Sequence, residues 1–283
     1  MTANIIDGKA LAKAIQVEIA QEVKVIVEKG FQPPGLAVIL VGDDPASQIY
    51  VRNKKAACAK VGFYAQEFLL PATTSEEDLK KLILSLNQNS KINGILLQLP
   101  LPKGMNEKNM LELISPEKDV DCFHPVNVGN LFLGIPRFLP CTPAGIMEML
   151  KHEKIDLKGK KAVVIGRSNI VGKPMAMLLL SEHATVTICH SRTVNLPKIT
   201  RDADIIVVAI GKAKFLTEDM VSPGQIIIDV GQNKLGEKLV GDVDFDAVAR
   251  KVAAITPVPG GVGPMTITML LKNALQAAKI AIK

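Results

Sequence analysis

Apolar positions along the chain alternate between helical and strand spacing. Leu11, Ile15, Ile19, Val23 and Ile26 recur at helical intervals and predict a first helix, capped by Asp7 and ending near Gly30. The apolar run 36–41 reads as a buried strand. Asp44 as N-cap and Pro45 at the first helical position open a second helix that ends near Gly62. Residues 63–70 read as a strand, 75–87 as a helix and 94–99 as a buried strand. This rhythm predicts a parallel sheet covered by helices, an α/β fold.

Between Asn127 and Pro143 the pattern breaks. Gly129, Gly134, Pro136, Pro140 and Pro143 punctuate the segment, which reads as a crossing between domains. A second alternation follows, with strands at 161–165, 185–189, 204–210, 225–230 and 253–256. The Pro- and Gly-rich segment 257–264 reads as a second crossing. The final helix carries Ile267, Leu270, Leu271, Ala274, Ala278 and Ala281 on one side. The expected organisation is an N-terminal domain over 1–141, to which the helix 265–283 returns, and a second, Rossmann-like domain over 142–264.

A length of 283 residues suits two such domains. With 48% apolar and 22% charged residues, a disordered or fibrous chain is excluded. No apolar run reaches the roughly 18–20 residues that span a membrane. The first residues lack the basic-then-apolar pattern of a signal peptide, so no membrane role is expected. The net charge of +6 suits either an anionic ligand or plain solubility. There is no basic run and there are few aromatics, so nucleic acid is not an expected partner. Cys58, Cys122, Cys141 and Cys189 lie far apart, without metal-ligand spacing. Free thiols in a reducing cytoplasm and no metal site are the expectation.

Strand 161–165 runs into Gly166-Arg167-Ser168-Asn169-Ile170-Val171-Gly172. A glycine turn from a strand into a helix lets backbone N–H groups approach a pyrophosphate at the positive helix end. The spacing departs from the usual G-x-G-x-x-G, so a plain tight turn is the alternative. The next strand ends in Cys189-His190-Ser191-Arg192. It lacks the carboxylate that binds a ribose 2′-hydroxyl in NAD sites. Ser191, Arg192 and Arg167 could instead donate to a 2′-phosphate, which favours NADP. The alternative is that the arginines are only surface cations.

In the second helix, Ala46, Tyr50, Val51, Lys54, Ala57, Cys58 and Val61 share one arc, opposite Gln48, Arg52 and Lys55. Lys54 sits inside this inward stripe. It either snorkels to water or ends in a pocket, where desolvation lowers its pKa towards proton-transfer chemistry. Tyr50 lies one turn earlier on the same face. Gln98 ends the strand Ile95-Leu96-Leu97, at the sheet edge where α/β ligands gather, or serves as a loop anchor. In Asp119-Val120-Asp121-Cys122-Phe123-His124-Pro125 a carboxylate could accept from an amidine-like ring edge or cap a turn. His124 reads as structural.

Four segments now resemble one family, bifunctional methylenetetrahydrofolate dehydrogenase/methenyltetrahydrofolate cyclohydrolase. They are Tyr50-Val51-x-x-Lys54, Gly94-Ile95-Leu96-Leu97-Gln98-Leu99-Pro100-Leu101-Pro102, Asp119-Val120-Asp121, and Pro257-Val258-Pro259-Gly260-Gly261-Val262-Gly263-Pro264-Met265-Thr266. The similarity runs from Asp7-Gly8 to the last helix. It implies a two-domain α/β fold with a folate cleft between the domains, and a homodimer. It also implies oxidation of 5,10-methylenetetrahydrofolate by NADP⁺ and hydrolysis of the methenyl product to 10-formyltetrahydrofolate. By the same resemblance Lys54 is catalytic, Gln98 hydrogen-bonds it, Tyr50 positions the pterin and aminobenzoyl region, and Asp121 holds the pterin edge. Pro259, Gly260 and Gly263 are expected along the folate cleft. Gly166, Arg167, Ser168, Ser191 and Gln232, with Thr142 and Thr266, are expected near NADP.

Two positions depart from the family pattern. Cys122 replaces a glycine, which disfavours a positive φ there. Gln232 replaces an aliphatic residue, so its cofactor contact is expected through the backbone. The alternatives kept open are a dehydrogenase without the hydrolytic step and a non-catalytic dinucleotide-binding module.

Overall fold

The computed structural model describes residues 3–282. In chain order the elements are β1 (Asn4–Ile5), α1 (Gly8–Glu28), β2 (Gly35–Val41), α2 (Pro45–Val61), β3 (Tyr64–Leu70), α3 (Glu76–Gln88), β4 (Gly94–Leu97), α4 (Glu107–Glu112), α5 (Pro125–Phe132), α6 (Cys141–His152), β5 (Lys161–Ile165), α7 (Gly172–Ser181), β6 (Thr185–Cys189), α8 (Leu196–Arg201), β7 (Ile205–Val208), β8 (Ile226–Asp229), β9 (Asn233–Leu235), β10 (Lys238–Val240), α9 (Phe245–Val248), β11 (Ala254–Ile255) and α10 (Val262–Ile282). The chain divides into two compact units. One holds Ala14–Cys141 and the residues from Ile267 onward; the other holds the residues up to Lys13 and Thr142–Thr266.

The unit containing Ala14–Cys141 is built on a three-stranded parallel sheet of order β3-β2-β4. Its central strand, Gly-Leu-Ala-Val-Ile-Leu-Val, is buried at every position. Ala37, Ile39 and Val41 of β2 join Ile95 and Leu97 of β4 and Leu79, Ile83 and Leu86 of α3 in one core. Those three α3 residues recur at helical spacing, and each is worth about 1.5–3 kcal/mol of burial. Helix α2 begins where the Asp44 carboxylate accepts from Ser47 N at 2.8 Å, and it ends at Gly62 with φ +79°. Ser75 caps α3 by accepting from Asp78 N.

The second unit carries a six-stranded sheet, β1-β11-β8-β7-β5-β6, in which every pairing is parallel. Val163, Ile165, Ile206, Val208, Ile227 and Ile255 form its core. β5 pairs with β6 on one side and with β7 on the other, so the strand order reverses across β5. Ligands of open α/β sheets gather at such a reversal, beyond the carboxyl ends of the strands.

The structure differs from the sequence expectation in three places. Residues 3–13, expected with the N-terminal domain, group with the second unit, in which Asn4 and Ile5 pair in parallel with Ala254 and Ile255. A two-residue strand carries no readable periodicity. The segment 127–143 holds most of α5, whose start is fixed by Pro125 and by His124 Nδ1 accepting from Val126 N at 3.1 Å. Val126, Val128 and Phe132 of this helix are exposed, and its inward positions include the polar Asn127 beside Leu131, so no apolar stripe is readable. The antiparallel hairpin β9–β10 turns at Gly236, φ +62°, and is largely exposed, which hides it from an apolar pattern.

Candidate functional site

In the first unit the parallel register brings the carboxyl ends of β2 and β4 side by side. Gln98 extends this ladder by one bond, its backbone N donating to the Ile39 carbonyl at 2.8 Å. α2 leaves the neighbouring end of β2, and Lys54 lies on its inward face. Lys54 Nζ donates to Gln98 Oε1 at 2.9 Å, while Gln98 Nε2 donates to the Leu99 carbonyl at 2.8 Å. The bond to Leu99 is the loop anchor that the sequence offered as one alternative. Burial lowers the Lys54 pKa below the ordinary lysine value, and the nearby Asp121 charge opposes that shift. Tyr50, one turn earlier, is half-buried, and burial pushes its phenol up.

Asp121 sits on a loop laid against β4. The Ile95 N–H donates to the Lys118 carbonyl at 2.8 Å, and residues 95 and 119 form a parallel bridge. Gly94 permits this approach, since a Cβ there would meet Val120 Cγ1 at 2.7 Å. The loop is then held by Asp119, which is 2% exposed. Its carboxylate accepts from Phe123 N at 3.1 Å, His124 N at 2.8 Å and Asn127 Nδ2 at 2.8 Å. The turn-capping carboxylate is thus Asp119, and His124 is structural. Asp121 lies within electrostatic reach of Lys54, and burial raises its pKa against the lowering effect of that lysine.

Cys122 adopts φ +63° despite its side chain. The expectation that cysteine disfavours this backbone meets a stronger local demand. Cys122 N donates to the Asp119 carbonyl at 3.1 Å, and its thiol donates to the Phe138 carbonyl at 3.3 Å. Left-handed backbone at a non-glycine residue costs about 1 kcal/mol, within reach of those bonds. Burial pushes the Cys58 thiol up to about 12 and also raises Cys122 and Cys141, so none of the three offers a thiolate at neutral pH.

In the second unit, the turn after β5 is compact. Gly166 has φ +133°, and a Cβ on it would collide with the Ala209 carbonyl beyond β7. A Cβ on Gly172 would collide with the Gly166 backbone. Ser168 Oγ accepts from Val171 N and Gly172 N, each at 3.2 Å, and so orders the amino end of α7. Arg167 is exposed just past β5, and Ser191 and Arg192 are exposed just past the adjacent β6. The backbone of that second turn is tied by His190 N donating to Thr193 Oγ1 and Arg192 N donating to His190 Nδ1. A cradle that only glycine fits, at the start of a helix and beside exposed cations, suits a dinucleotide with a 2′-phosphate.

Two buried aspartates brace the neighbouring loops. Asp242 accepts from Ile210 N, Gly211 N, Lys212 N and Asn233 Nδ2 at 2.8–2.9 Å. Asp229 accepts from Gly231 N, Asp242 N and Val243 N, and its burial raises its pKa to about 6. Gln232 is exposed, and its Nε2 lies 2.5 Å from where a Gly263 Cβ would project. Thr142 and Thr266 are hydrogen-bonded to one another at 3.0 Å. Pro259 and Gly260 lie between β11 and α10, where the Gly260 carbonyl accepts from Lys9 N at 2.8 Å.

Sequence reasoning did not single out Asp119, Asn127, Asp229 or Asp242. The Asp119–His124–Pro125 spacing carried a turn signal, but which carboxylate capped the turn was not legible. The partners of the Asp229 carboxylate, and all but Asn233 of those of Asp242, are backbone amides, which leave no mark in side-chain identity.

Together these features define an α/β protein with a dinucleotide-binding unit and a separate unit carrying a half-buried lysine, an amide and a carboxylate. Comparison with known proteins narrows this class. Residues 6–121 match the model of the tetrahydrofolate dehydrogenase/cyclohydrolase catalytic domain, and residues 140–282 match that of its NAD(P)-binding domain. The bifunctional protein FolD of Moorella thermoacetica is 57% identical, over 99% of this chain and 100% of its own. The crystal structure of the bifunctional FolD enzyme from Campylobacter jejuni is 50% identical, with a TM-score of 0.96, over 98% of this chain and 99% of that one. The Trypanosoma brucei enzyme, crystallised with NADP cofactor and an inhibitor, is 41% identical with a TM-score of 0.97, over 100% of this chain and 99% of that one. The chain belongs to the tetrahydrofolate dehydrogenase/cyclohydrolase family.

Proposed function

We propose that this protein oxidises 5,10-methylenetetrahydrofolate to the 5,10-methenyl compound with NADP⁺ and hydrolyses that product to 10-formyltetrahydrofolate. The observation that carries the reading is Lys54 Nζ, half-buried and held 2.9 Å from Gln98 Oε1, with Asp121 as its charged neighbour.

The methenyl substrate is a cation, and a cation beside Lys54 further disfavours the protonated amine. Neutral Lys54 then takes a proton from the water that attacks the methenyl carbon. As the carbon–N5 bond breaks, the hydroxyl proton of the adduct passes to N5 and the carbonyl forms. The proton taken by Lys54 is released to solvent, which balances the reaction. Gln98 accepts from Nζ and so fixes the direction of the remaining lone pair. Asp121 pairs with the pterin edge, and Tyr50 packs against the pterin and aminobenzoyl rings.

When bound, NADP⁺ supplies the hydride acceptor for the first reaction. Gly166 and Ser168 with the amino end of α7 would hold its pyrophosphate, and Arg167 and Ser191 its 2′-phosphate. Backbone at Gln232 and the Thr142–Thr266 pair are assigned to the same ligand. Pro259, Gly260 and Gly263 are assigned to folate on the resemblance of their motif alone.

We also propose a homodimer in the cytoplasm. Among the described residues the outer edge of β3 has no partner strand, and it exposes Tyr64 and Leu69. All four cysteines are free, as suits a reducing compartment. No helix among the described residues is long and apolar enough to cross a membrane. Sedimentation velocity that shows only monomer at micromolar concentration would remove the dimer.

The decisive experiment follows methenyl formation from 5,10-methylenetetrahydrofolate with NADP⁺ or NAD⁺, then methenyl decay. Turnover with NADP⁺ and enzyme-dependent decay support both reactions. Turnover without decay leaves a dehydrogenase alone, and no turnover with either nucleotide leaves a binding module.

A further inference from the structure

Asn273 lies in α10, on a helix face whose neighbours Met269, Leu270 and Ala277 are buried apolar residues. It is itself 6% exposed. An amide in such a place is destabilising unless hydrogen-bonded. Its Nδ2 donates to the Val120 carbonyl and to the Leu139 carbonyl, each at 2.8 Å, and lies 3.7 Å from Cys141 Sγ. The Val120 carbonyl belongs to the peptide that leads into Asp121. The Leu139 carbonyl opens the short stretch that leads to Cys141. The Cys141 thiol returns to the same Val120 carbonyl at 3.4 Å and is also within reach of the Asp121 carboxylate. One side-chain amide therefore ties together the two backbone segments that flank Asp121.

We propose that Asn273 is a positioning residue for folate recognition and hydrolysis, acting through the Val120–Asp121 peptide to set the Asp121 carboxylate against Lys54. This rests on the reading of Asp121 and Lys54 given above. Leucine would fill the same volume but remove the amide donor from both carbonyls, leaving Val120 only the weak thiol of Cys141. Asp121 would then be free to drift from Lys54. The ionisable groups facing Lys54 are Asp121, Cys141 and Cys58, and the thiols stay protonated near neutral pH. Asp121 is the charge that holds the Lys54 pKa up, so its displacement moves the lysine midpoint down.

The test compares Asn273→Leu with Asp121→Asn in the full-length enzyme. For Asn273→Leu we expect the KM for 5,10-methylenetetrahydrofolate to rise on the order of tenfold. The pH midpoint of methenyl hydrolysis should shift to lower pH, while the Kd for NADP⁺ stays unchanged. Asp121→Asn should produce the same two changes. A lowered Tm with wild-type KM and pH midpoint in Asn273→Leu would reduce Asn273 to a packing residue and overturn the proposal. Wild-type behaviour of Asp121→Asn would instead sink the underlying assignment of Asp121. Should Asn273→Leu not fold, Asn273→Thr keeps one donor in a smaller side chain. It should give intermediate values of both readouts, and wild-type values would again overturn the proposal.

Discussion

Lys54 Nζ and Gln98 Oε1 lie 2.9 Å apart, and the same Gln98 amide donates through Nε2 to the Leu99 carbonyl at 2.8 Å. The second bond orients the first. Because Nε2 is committed to the backbone, Oε1 is the atom turned towards the lysine. The amide accepts one N–H of Lys54 without adding a negative charge that would lock the ammonium in its protonated form. An acid at position 98 would do the opposite, and the lysine would lose its use as a base.

Replacing Lys54 with methionine should lower methenyl hydrolysis by about 10²–10⁴-fold, the usual contribution of a general base. The fold should survive, since the thioether occupies much of the volume of the half-buried lysine stem. Stopped-flow hydrolysis together with circular dichroism checks both halves. Undiminished hydrolysis would take Lys54 out of the mechanism.

The hydrolysis rate should rise with pH through a midpoint below the ordinary lysine value, because the neutral amine is the active form and burial lowers its pKa. The stability consequence has a definite sign. Between its folded and unfolded pKa values, Lys54 binds fewer protons in the native state. Its contribution to stability therefore rises with pH across that window and is fully present only above the unfolded value. A pH–rate profile compared with that of Lys54→Met isolates the group. A midpoint at or above the ordinary value would contradict the desolvated site.

Neighbouring aspartates should behave differently. Asp119→Ala removes the acceptor of three donors inside a buried turn, at a cost of about 3 kcal/mol. Asp121→Ala should change stability little and should raise the KM for folate. Urea denaturation of the two variants, read beside their kinetics, separates scaffold from site. Equal destabilisation by both would mean that the division of labour drawn from the geometry is wrong.

Gly172→Ala pushes a methyl group into the Gly166 backbone and deforms the turn at the start of α7. We expect the KM for NADP⁺ to rise roughly tenfold or more, with methenyl hydrolysis near wild type. Nucleotide titration by calorimetry measures the first effect, and hydrolysis without nucleotide measures the second. Unchanged NADP⁺ binding would place the dinucleotide elsewhere.

Much of this protein was legible in its residues. Asp44-Pro45 and Gly62 bounded α2 because caps act over three or four residues, and the structure shows both ends so capped. β5 fell at 161–165 because a buried parallel strand is a short apolar run, whereas β6 at 185–189 is a mostly exposed edge strand that its β-branched residues Thr185, Val186, Thr187 and Ile188 mark. Lys54 stood out because a single charge on an inward arc needs a reason. The hairpin β9–β10 and helix α5 escaped for the converse reason, since exposed apolar residues or a mostly polar ladder leave no periodic signature.

The sequence by itself determined the α/β class, the two sets of chemistry-bearing residues and the glycine turn, because each depends on local spacing. Only the tertiary structure decided which partner each group met. It set Gln98 against Lys54 across 44 positions and Asn273 against Val120 across 153. It made Asp119 the anchor and left Asp121 within electrostatic reach of the lysine, and it held Cys122 at a positive φ. Burial, hydrogen-bond direction and the resulting pKa shifts arise when distant segments share one dry volume, and no local pattern encodes which segments those are.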